Sequence, residues 1–201
     1  TIVYPLLLAL AGAALWRFRL MGKPRPERAT SRGFSPPNLA GWTWLCLLIA
    51  ALFAYGLIHP RFEHDPLTYQ LHFAASWLRS GSADIVPTPF GDPSHAYGPA
   101  FASLFYLGLM APLGGDMLAA SGGLWFLAYA AVCAAGIARG LGAPRRWTFL
   151  PALLLFLAPL SVYEGRTALN DIAIGAFLAA SVHFFIAAAN RKGPLDLALG
   201  I

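Results

Sequence analysis

Charged side chains are scarce in this chain. Lys, Arg, Asp and Glu make up 11% of its 201 residues, whereas soluble domains carry about 25%. Hydrophobic residues make up 58% and the mean hydropathy is +0.60, which excludes a water-soluble globular domain. The net charge of +5 falls in short clusters between apolar runs, a pattern typical of membrane topology. We therefore expect the lipid bilayer as a partner, and no nucleic acid.

Cysteine is nearly absent, with Cys46 and Cys133 both inside apolar runs. A thiol there behaves as a small hydrophobe, so the sequence indicates neither a disulfide framework nor a cysteine metal site. The chain also lacks an initial Met and stops just after a charged turn. We expect it to be the amino-terminal part of a longer polytopic protein.

Long apolar runs are abundant. Five stretches approach the roughly 20 residues that a helix needs to cross a bilayer core about 30 Å thick. They predict an all-α polytopic membrane helix bundle. A sixth stretch, residues 100–113, is shorter and is bounded by Gly and Pro. The five long stretches are residues 1–18, 39–59, 117–138, 147–163 and 171–189.

The basic residues predict the topology. Eleven of the fourteen fall in three clusters, within residues 17–32, 139–146 and 191–192. Short loops rich in Lys and Arg face the cytoplasm, so all three clusters belong on one side of a cytoplasmic (plasma) membrane. The number of crossings between the first two clusters is then even, which requires 100–113 to be re-entrant or interfacial. Residues 60–116 and 164–170 become two acidic outer loops.

The first outer loop contains an amphipathic segment. Its apolar residues recur at helical spacing, and they predict a helix over residues 66–79 that lies along the outer interface. Asp65 fits the N-cap with Pro66 at the first helical position, and Gly81 fits the stop. Trp77 suits the headgroup level. The apolar positions are Leu67, Leu71, Ala74, Ala75 and Leu78.

The sequence allows two interpretations of Asp65. It caps a helix, which needs no chemistry, or it belongs to a site together with Glu63 and His64, which follow the end of a spanning helix. Ionisable groups at membrane level favour a functional role. The two readings are compatible.

A proline-rich segment follows, at residues 86–99. Its four prolines predict an ordered extended or turn-rich path. His95 and Tyr97 near its end are candidates to hold a phosphate or a sugar by hydrogen bonds. A rigid connector with polar surface groups is the alternative.

The second outer loop carries Glu164, Arg166, Asn170 and Asp171. Asp171 stands at the start of an apolar helix, where the helix macrodipole alone favours a carboxylate. Carboxylates from two separate loops on one face also share a cation or divide the tasks of base and electrostatic stabiliser. A site between the two loops is therefore the second reading.

The order of these features resembles the GT-C fold of membrane glycosyltransferases that use polyprenyl-phosphate sugars, such as protein O-mannosyltransferases, aminoarabinose transferases and oligosaccharyltransferases. The residues that carry the resemblance are Asp65-Pro-Leu-Thr-Tyr69, Trp77-Leu-Arg-Ser-Gly81, Pro87-Thr-Pro-Phe-Gly-Asp-Pro93, His95-Ala-Tyr-Gly-Pro99 and the second loop ending in Asp171. The resemblance covers about residues 39–190. It implies a GT-C-like module over 39–201, preceded by an additional helix and a basic cytoplasmic loop over 1–38.

By this resemblance the protein transfers a sugar from a polyprenyl-phosphate donor to a glycan, lipid or protein acceptor at the outer face, with inversion. Asp65 corresponds to the general base, and Asp171 to the second acidic residue of the cavity. A divalent cation, Mg²⁺ or Mn²⁺, is an optional cofactor. Pro66 departs from several such families, in which an acidic residue follows the first Asp. The expected substrate-binding residues are Glu63, His64, Tyr69, His95, Tyr97, Glu164, Arg166 and Asn170.

The sequence is also compatible with two other functions. A multi-pass transporter or flippase for a lipid-linked sugar or anion would show broken helices or polar groups at the midplane, whereas the charges here gather at one surface. A non-catalytic scaffold predicts that Asp65 and Asp171 are dispensable.

Overall fold

The structure is a computed structural model, and it describes residues 38–59, 64–87 and 100–190. The chain divides into two compact units, Thr1–Ser35 and Pro36–Ile201, and all described residues lie in the second. The span predicted at 1–18 and the basic clusters at 17–32 and 191–192 therefore lie outside the described residues.

The described residues fold into helices joined by turns and loops, without a strand, which confirms the all-α prediction. Short non-α segments interrupt them: a π-helical segment at Pro66–Gln70 and 3₁₀ turns at Ala119–Ser121 and Arg145–Trp147. The α-helices are α1 Leu39–Ile58, α2 Leu71–Ser80, α3 Phe101–Met110, α4 Gly123–Gly140, α5 Phe149–Leu157, α6 Pro159–Gly165 and α7 Asn170–Asn190.

Three helical stretches in this part of the chain are long and apolar enough to cross a membrane: Leu39–Ile58, Ala119–Gly140 and Asn170–Asn190. They confirm the predicted spans at 39–59, 117–138 and 171–189. Helix α3 has 10 residues and rises only about 15 Å, which is half of a bilayer core. The chain therefore has the helices of a helical membrane protein, and α3 is too short to cross.

The stretch 147–163 is not one continuous helix, so the prediction of an unbroken helix is wrong, but the bent pair is together long and apolar enough for one span. Helical residues Arg145–Leu157 and Pro159–Gly165 meet at an angle of 74°. Ala158 between them has an extended backbone, with ψ of 117°, because a residue before proline is sterically excluded from the helical region. This pair is either a broken span or a re-entrant loop.

One end of the bundle carries the segments that were predicted to be outer loops, and we call it the loop end. Here Gly56 of α1 lies directly against the Ser121 hydroxyl. The backbone N–H of Gly123, at the start of α4, donates to the Thr167 carbonyl at 3.2 Å. The end of α1 and the beginnings of α4 and α7 therefore meet at the loop end.

The opposite end carries Arg139, Arg145 and Arg146, and we call it the basic end. There Gly41 of α1 lies against the Phe149 ring, and the Asn190 side chain donates to the Gly140 carbonyl at 2.9 Å. Helix α1 thus runs from the basic end to the loop end, and α4 and α7 run back. This is the even number of crossings that the positive-inside rule requires between residue 38 and the 139–146 cluster.

Helices α4 and α7 pack closely because small residues line their contact. Gly136 and Gly140 are four residues apart on α4, and a Cβ at either position would collide with His183 or Ile186 of α7. Such small-residue spacing is typical of helix pairs in membranes, where close approach gives the packing energy. The pair forms the frame on which the loop end is built.

The amphipathic helix of the first loop is present, but its beginning differs from the prediction. The Leu71 N–H donates to the carbonyl of Pro66, five residues earlier, so the first turn is π-helical. The extra residue in the turn rotates the preceding side chains around the axis. Leu67, predicted on the apolar face, is 50% exposed, whereas Thr68 and Gln70 are buried.

The rest of this helix follows the apolar pattern. Leu71 and Ala74 of α2 are buried in one core cluster with Tyr106 and Met110 of α3. Gly81 stops the helix in the left-handed conformation, with φ of 69°, as predicted. The apolar face of α2 therefore packs on protein, and its position along the outer interface stays a prediction.

Trp77 of α2 is buried in the protein, and its predicted depth at the headgroup level stays a prediction. It is 7% exposed, and its indole N–H donates to the Asp84 carbonyl at 2.8 Å. A buried indole needs a partner for its N–H, and the loop after Gly81 returns to supply one. Trp77 therefore ties this loop to the body of α2.

Candidate functional site

A rigid turn at residues 166–169 lies at the centre of the loop end, just before α7. Three successive carbonyls of this turn, at residues 167–169, accept hydrogen bonds from three different elements. The donors are, in that order, the Gly123 backbone N–H at 3.2 Å, the Gln70 side-chain amide, and the Tyr106 hydroxyl at 3.2 Å. Because buried carbonyls require partners, these bonds fix the turn against α4, the π segment and α3 together.

The contact with α4 depends on a glycine. A Cβ at Gly123 would lie 2.5 Å from the Thr167 carbonyl oxygen and 2.8 Å from those of Glu164 and Gly165. The Thr167 hydroxyl donates to the Glu164 carbonyl at 2.9 Å and closes the turn locally. Backbone therefore packs directly on backbone at this position.

Gln70 joins the two loops. Its side chain is fully buried, and the donors and acceptors around it orient its amide so that the nitrogen donates to the Ala168 carbonyl. Its amide oxygen accepts from the backbone N–H and the side-chain amide of Asn170, both at 3.1 Å. The π segment of the first loop is thus hydrogen-bonded to both sides of the beginning of α7.

Asp65 is not the N-cap that the sequence predicted. An N-cap residue has a non-helical backbone, but Asp65 has φ of −61° and ψ of −46°, and its side chain makes no capping bond. The helix extends back to His64, and the Asp65 carbonyl accepts from the Thr68 hydroxyl at 3.1 Å. The Asp65 carboxylate is exposed and is not used to start the helix.

Asp65, Tyr69 and Asp171 form one group, which we call the carboxylate cluster. Burial raises the pKa of the Tyr69 hydroxyl, and the negative charges of Asp65 and Asp171 raise it further, against a lowering effect of the Gln70 side chain. Asp171 is exposed in the first turn of α7. Both carboxylates therefore act on the same phenol, although they come from separate loops.

Arg166 lies on the side of the turn that faces α1. The carbon at the centre of its guanidinium is 4.4 Å from the centre of the Tyr55 ring, a cation–π geometry. The Tyr55 ring in turn contacts the tilted His59 ring, with the ring centres 4.7 Å apart. The buried Nε of Arg166 has no hydrogen-bond partner among the described residues. The turn thus holds a cation at the end of α1.

The other predicted site residues divide into two groups. Asn170 is joined to Gln70, His64 is exposed next to Asp65, and Glu164 is partly buried, with its carbonyl in the turn. The predicted residues that lie outside the described part of the chain are Glu63, His95 and Tyr97.

The described residues do not supply the ligands for the predicted metal. No three His, Cys, Asp or Glu side chains of that part come together as a metal site. Calcium takes six to eight oxygen ligands and magnesium an octahedral set, and the cluster offers two carboxylates. Glu63, Asp92 and His95 are outside the described residues, so a bound Mg²⁺ or Mn²⁺ stays a prediction.

Two apolar grooves run along α7 from the cluster towards the basic end. The first, of about 230 Å³, begins at Asn170, beside Asp171, and lies between α3 and α7. The second, of about 440 Å³, shares Phe177 with the first. Together the linings are Phe101, Ala102, Asn170, Ala173, Ile174 and Phe177, then Tyr129, Ala180, Ser181, Phe184, Phe185 and Ala188.

Sequence reasoning missed Gln70 and Tyr106. A signal for Gln70 was present, because it lies four residues before Ala74 and three after Leu67, on the apolar face of the predicted helix. A polar residue on such a face needs a buried partner. Tyr106 gave no signal, since an aromatic residue in an apolar helix is expected to pack.

No protein-family model, curated protein or solved structure matches this chain. The class of the protein therefore follows from its own residues. It is a helical membrane protein that holds a carboxylate cluster where two of its loops meet.

Proposed function

We propose that the protein is a GT-C-like membrane glycosyltransferase, which transfers a sugar from a polyprenyl-phosphate donor to a glycan, lipid or protein acceptor at the outer face of the membrane. The hydrogen bonds of Gln70, which join the segment after Asp65 to the residues just before Asp171, carry this proposal, and both carboxylates raise the pKa of Tyr69. Two carboxylates from separate loops at the ends of spanning helices suit chemistry at a membrane surface.

Asp65 is the general base in this proposal. Its carboxylate is exposed and makes no capping bond, so the structural role that competed with catalysis does not occupy it. The base takes the proton from an acceptor hydroxyl while the hydroxyl oxygen attacks the anomeric carbon. A positioned base contributes a rate factor of about 100 to 10,000.

The bond between the sugar and the phosphate breaks in the same step, and the electron pair leaves with the polyprenyl phosphate. Single displacement inverts the configuration at the anomeric carbon. Arg166 supplies positive charge for the leaving phosphate, and fixed charges aimed at developing charge are a strong source of catalysis. Asp171 and the protonated Tyr69 orient the acceptor or the sugar.

The apolar grooves support a lipid-linked donor. A polyprenyl chain partitions into the bilayer while its phosphate stays at the surface. The first groove begins at Asn170, next to the cluster, and is otherwise lined by apolar side chains. A lipid chain in this groove would bring its phosphate to the loop end.

A transporter or flippase for a lipid-linked sugar or anion is the second candidate, and the break at Ala158 favours it. Broken helices are typical of transporter binding sites, and the helices on either side of Ala158 meet at 74°. The imidazole of His183 within α7 also has a buried Nδ1 without a hydrogen-bond partner in the described part. The exposed Asp65 and Asp171 carboxylates at the loop end favour the transferase, because its reaction takes place at the membrane surface.

The experiment uses the full-length protein in membrane vesicles with polyprenyl-phosphate sugars that carry a radiolabel in the sugar. We expect transfer of the label by the native protein, and a loss of about 100- to 10,000-fold in Asp65→Asn. Asp171→Asn should lose activity as well, whereas Asp116→Asn, an exposed acid of the same loop region, should not. Movement of the intact donor across the vesicle without transfer would favour the transporter, and activity in both Asn variants would contradict the proposed site.

A further inference from the structure

We infer that Gln70 is a positioning residue that sets the separation of Asp65 and Asp171. The geometric part of this inference stands on the hydrogen bonds of Gln70, and only its catalytic consequence rests on the proposed function. Gln70 belongs to the π segment that follows Asp65. Its amide bonds to Ala168 and to Asn170, the residue just before Asp171.

The hydrogen bonds of Gln70 are complementary. The Ala168 carbonyl needs a donor and the Asn170 N–H needs an acceptor, and a primary amide supplies both from one planar group. Gln70 is 0% exposed, so water does not replace either bond. Loss of the amide leaves the Ala168 carbonyl and the Asn170 N–H without these partners, which is costly in a low-dielectric interior.

The other bonds of the turn do not reach the π segment that carries Gln70. The Gly123 bond fixes the turn to α4, and the Tyr106 bond fixes it to α3. The π turn itself is closed within the first loop, by the bond from the Thr68 hydroxyl to the Asp65 carbonyl. Among these bonds, those of Gln70 join the π turn to the turn before α7.

The π turn makes this coupling possible. With the hydrogen bond from Leu71 to Pro66, Thr68 and Gln70 are buried while Asp65 stays exposed and Tyr69 is partly exposed. Single π turns occur frequently at functional sites, because they redirect side chains that an α-helix would place elsewhere. The buried Gln70 thus fixes the position of the exposed Asp65 carboxylate, which lies one π turn before it.

The experiment measures the distance between nitroxide labels at Asp65→Cys and Asp171→Cys by pulsed electron paramagnetic resonance, in the full-length protein with Cys46 and Cys133 replaced. We compare native Gln70 with Gln70→Leu, which removes the hydrogen bonds of the amide, and with Gln70→Glu. In Gln70→Leu we expect the distance distribution to broaden and shift. Gln70→Glu should behave likewise at neutral pH, because its carboxylate faces the Ala168 carbonyl, and should return to the native distribution in acid, where the carboxyl group donates again.

An unchanged distribution in Gln70→Leu, or a Gln70→Glu variant without recovery in acid, would overturn the positioning role. If Gln70→Leu does not fold, the acid recovery of Gln70→Glu decides the question by itself. Sugar transfer is measured separately in the unlabelled Gln70 variants, where displacement of a catalytic group by about 1 Å costs roughly 100-fold. A changed distance in a protein without any transfer activity would keep the role of Gln70 and reject the proposed function.

Discussion

Tyr69 is the residue whose pKa is affected by carboxylates from both loops. Its neutral form is favoured by burial and by two nearby negative charges, so the hydroxyl is a hydrogen-bond donor at neutral pH. A raised pKa in the folded state contributes stability that is fully present below the ordinary tyrosine pKa. That stability is lost as the pH rises through the raised value.

Neutralising either carboxylate should therefore lower the pKa of Tyr69. We expect Asp65→Asn and Asp171→Asn each to shift it towards the ordinary tyrosine value, because each removes one of the charges that raise it. A titration of ring-labelled tyrosines by NMR measures the shift, with Tyr69→Phe to assign the signal and Asp116→Asn as the control. A shift in one variant only would mean that the two carboxylates do not share this neighbour.

Tyr106 is a structural residue of the site. Its ring lies against Gly122, and its hydroxyl donates to the Leu169 carbonyl at 3.2 Å. Tyr106→Phe keeps the ring and removes only the hydrogen bond. We expect a loss of about 1 kcal/mol in the free energy of unfolding, measured by denaturation in detergent. An unchanged free energy would show that the turn does not depend on this bond.

At the scale of helices, the loop end depends on the close approach of α4 to the turn before α7. Gly123→Ala places a methyl group against three backbone oxygens, which have no side-chain freedom to move away. We expect a destabilisation of roughly 1 to 3 kcal/mol, as for overpacking in a core. The measurement is the free energy of unfolding in detergent.

The matched control is Gly175→Ala in α7, where nothing lies within 4 Å of the added Cβ. This substitution should be neutral or stabilise the helix by up to about 1 kcal/mol, because alanine has the higher helix propensity. Equal effects of the two substitutions would contradict the close packing of backbone on backbone at Gly123.

The helices also show where periodicity succeeds and fails as a predictor. The apolar pattern correctly predicted α2 and its stop at Gly81, because these depend on local spacing and on one backbone conformation. It did not predict the π turn. One inserted residue leaves the apolar pattern after Leu71 intact and rotates only the side chains before Leu71 around the helix axis. The cap at Asp65 was wrong because Asp65 already lies within the helix, which extends back at least to His64.

At the scale of the whole molecule, composition and length predicted the three spans well, because bilayer thickness dictates the length of an apolar helix. The break at Ala158 was not predicted, although Pro159 was visible within the stretch. The tie between the loops was beyond sequence reasoning, because it joins Gln70 to residues about a hundred positions later, and no local pattern encodes such a contact.

The topology gives a prediction for the whole chain. In sealed vesicles of known orientation, with Cys46 and Cys133 replaced, a single cysteine at Ser82 should react with a membrane-impermeant maleimide from the outer side. A cysteine at Leu141, exposed at the basic end, should react only from the cytoplasmic side. Labelling of both positions from one side would contradict an odd number of crossings between them.

The central claim is that Asp65 and Asp171 serve one catalytic site. A double-mutant cycle on kcat/KM for sugar transfer tests it most directly, with Asp65→Asn, Asp171→Asn and the combined variant in the full-length protein. Residues that act as a unit give strongly non-additive losses. We predict that the combined variant loses far less than the product of the two single losses. Independent, multiplicative losses, or single variants with native kcat/KM, would contradict a shared site.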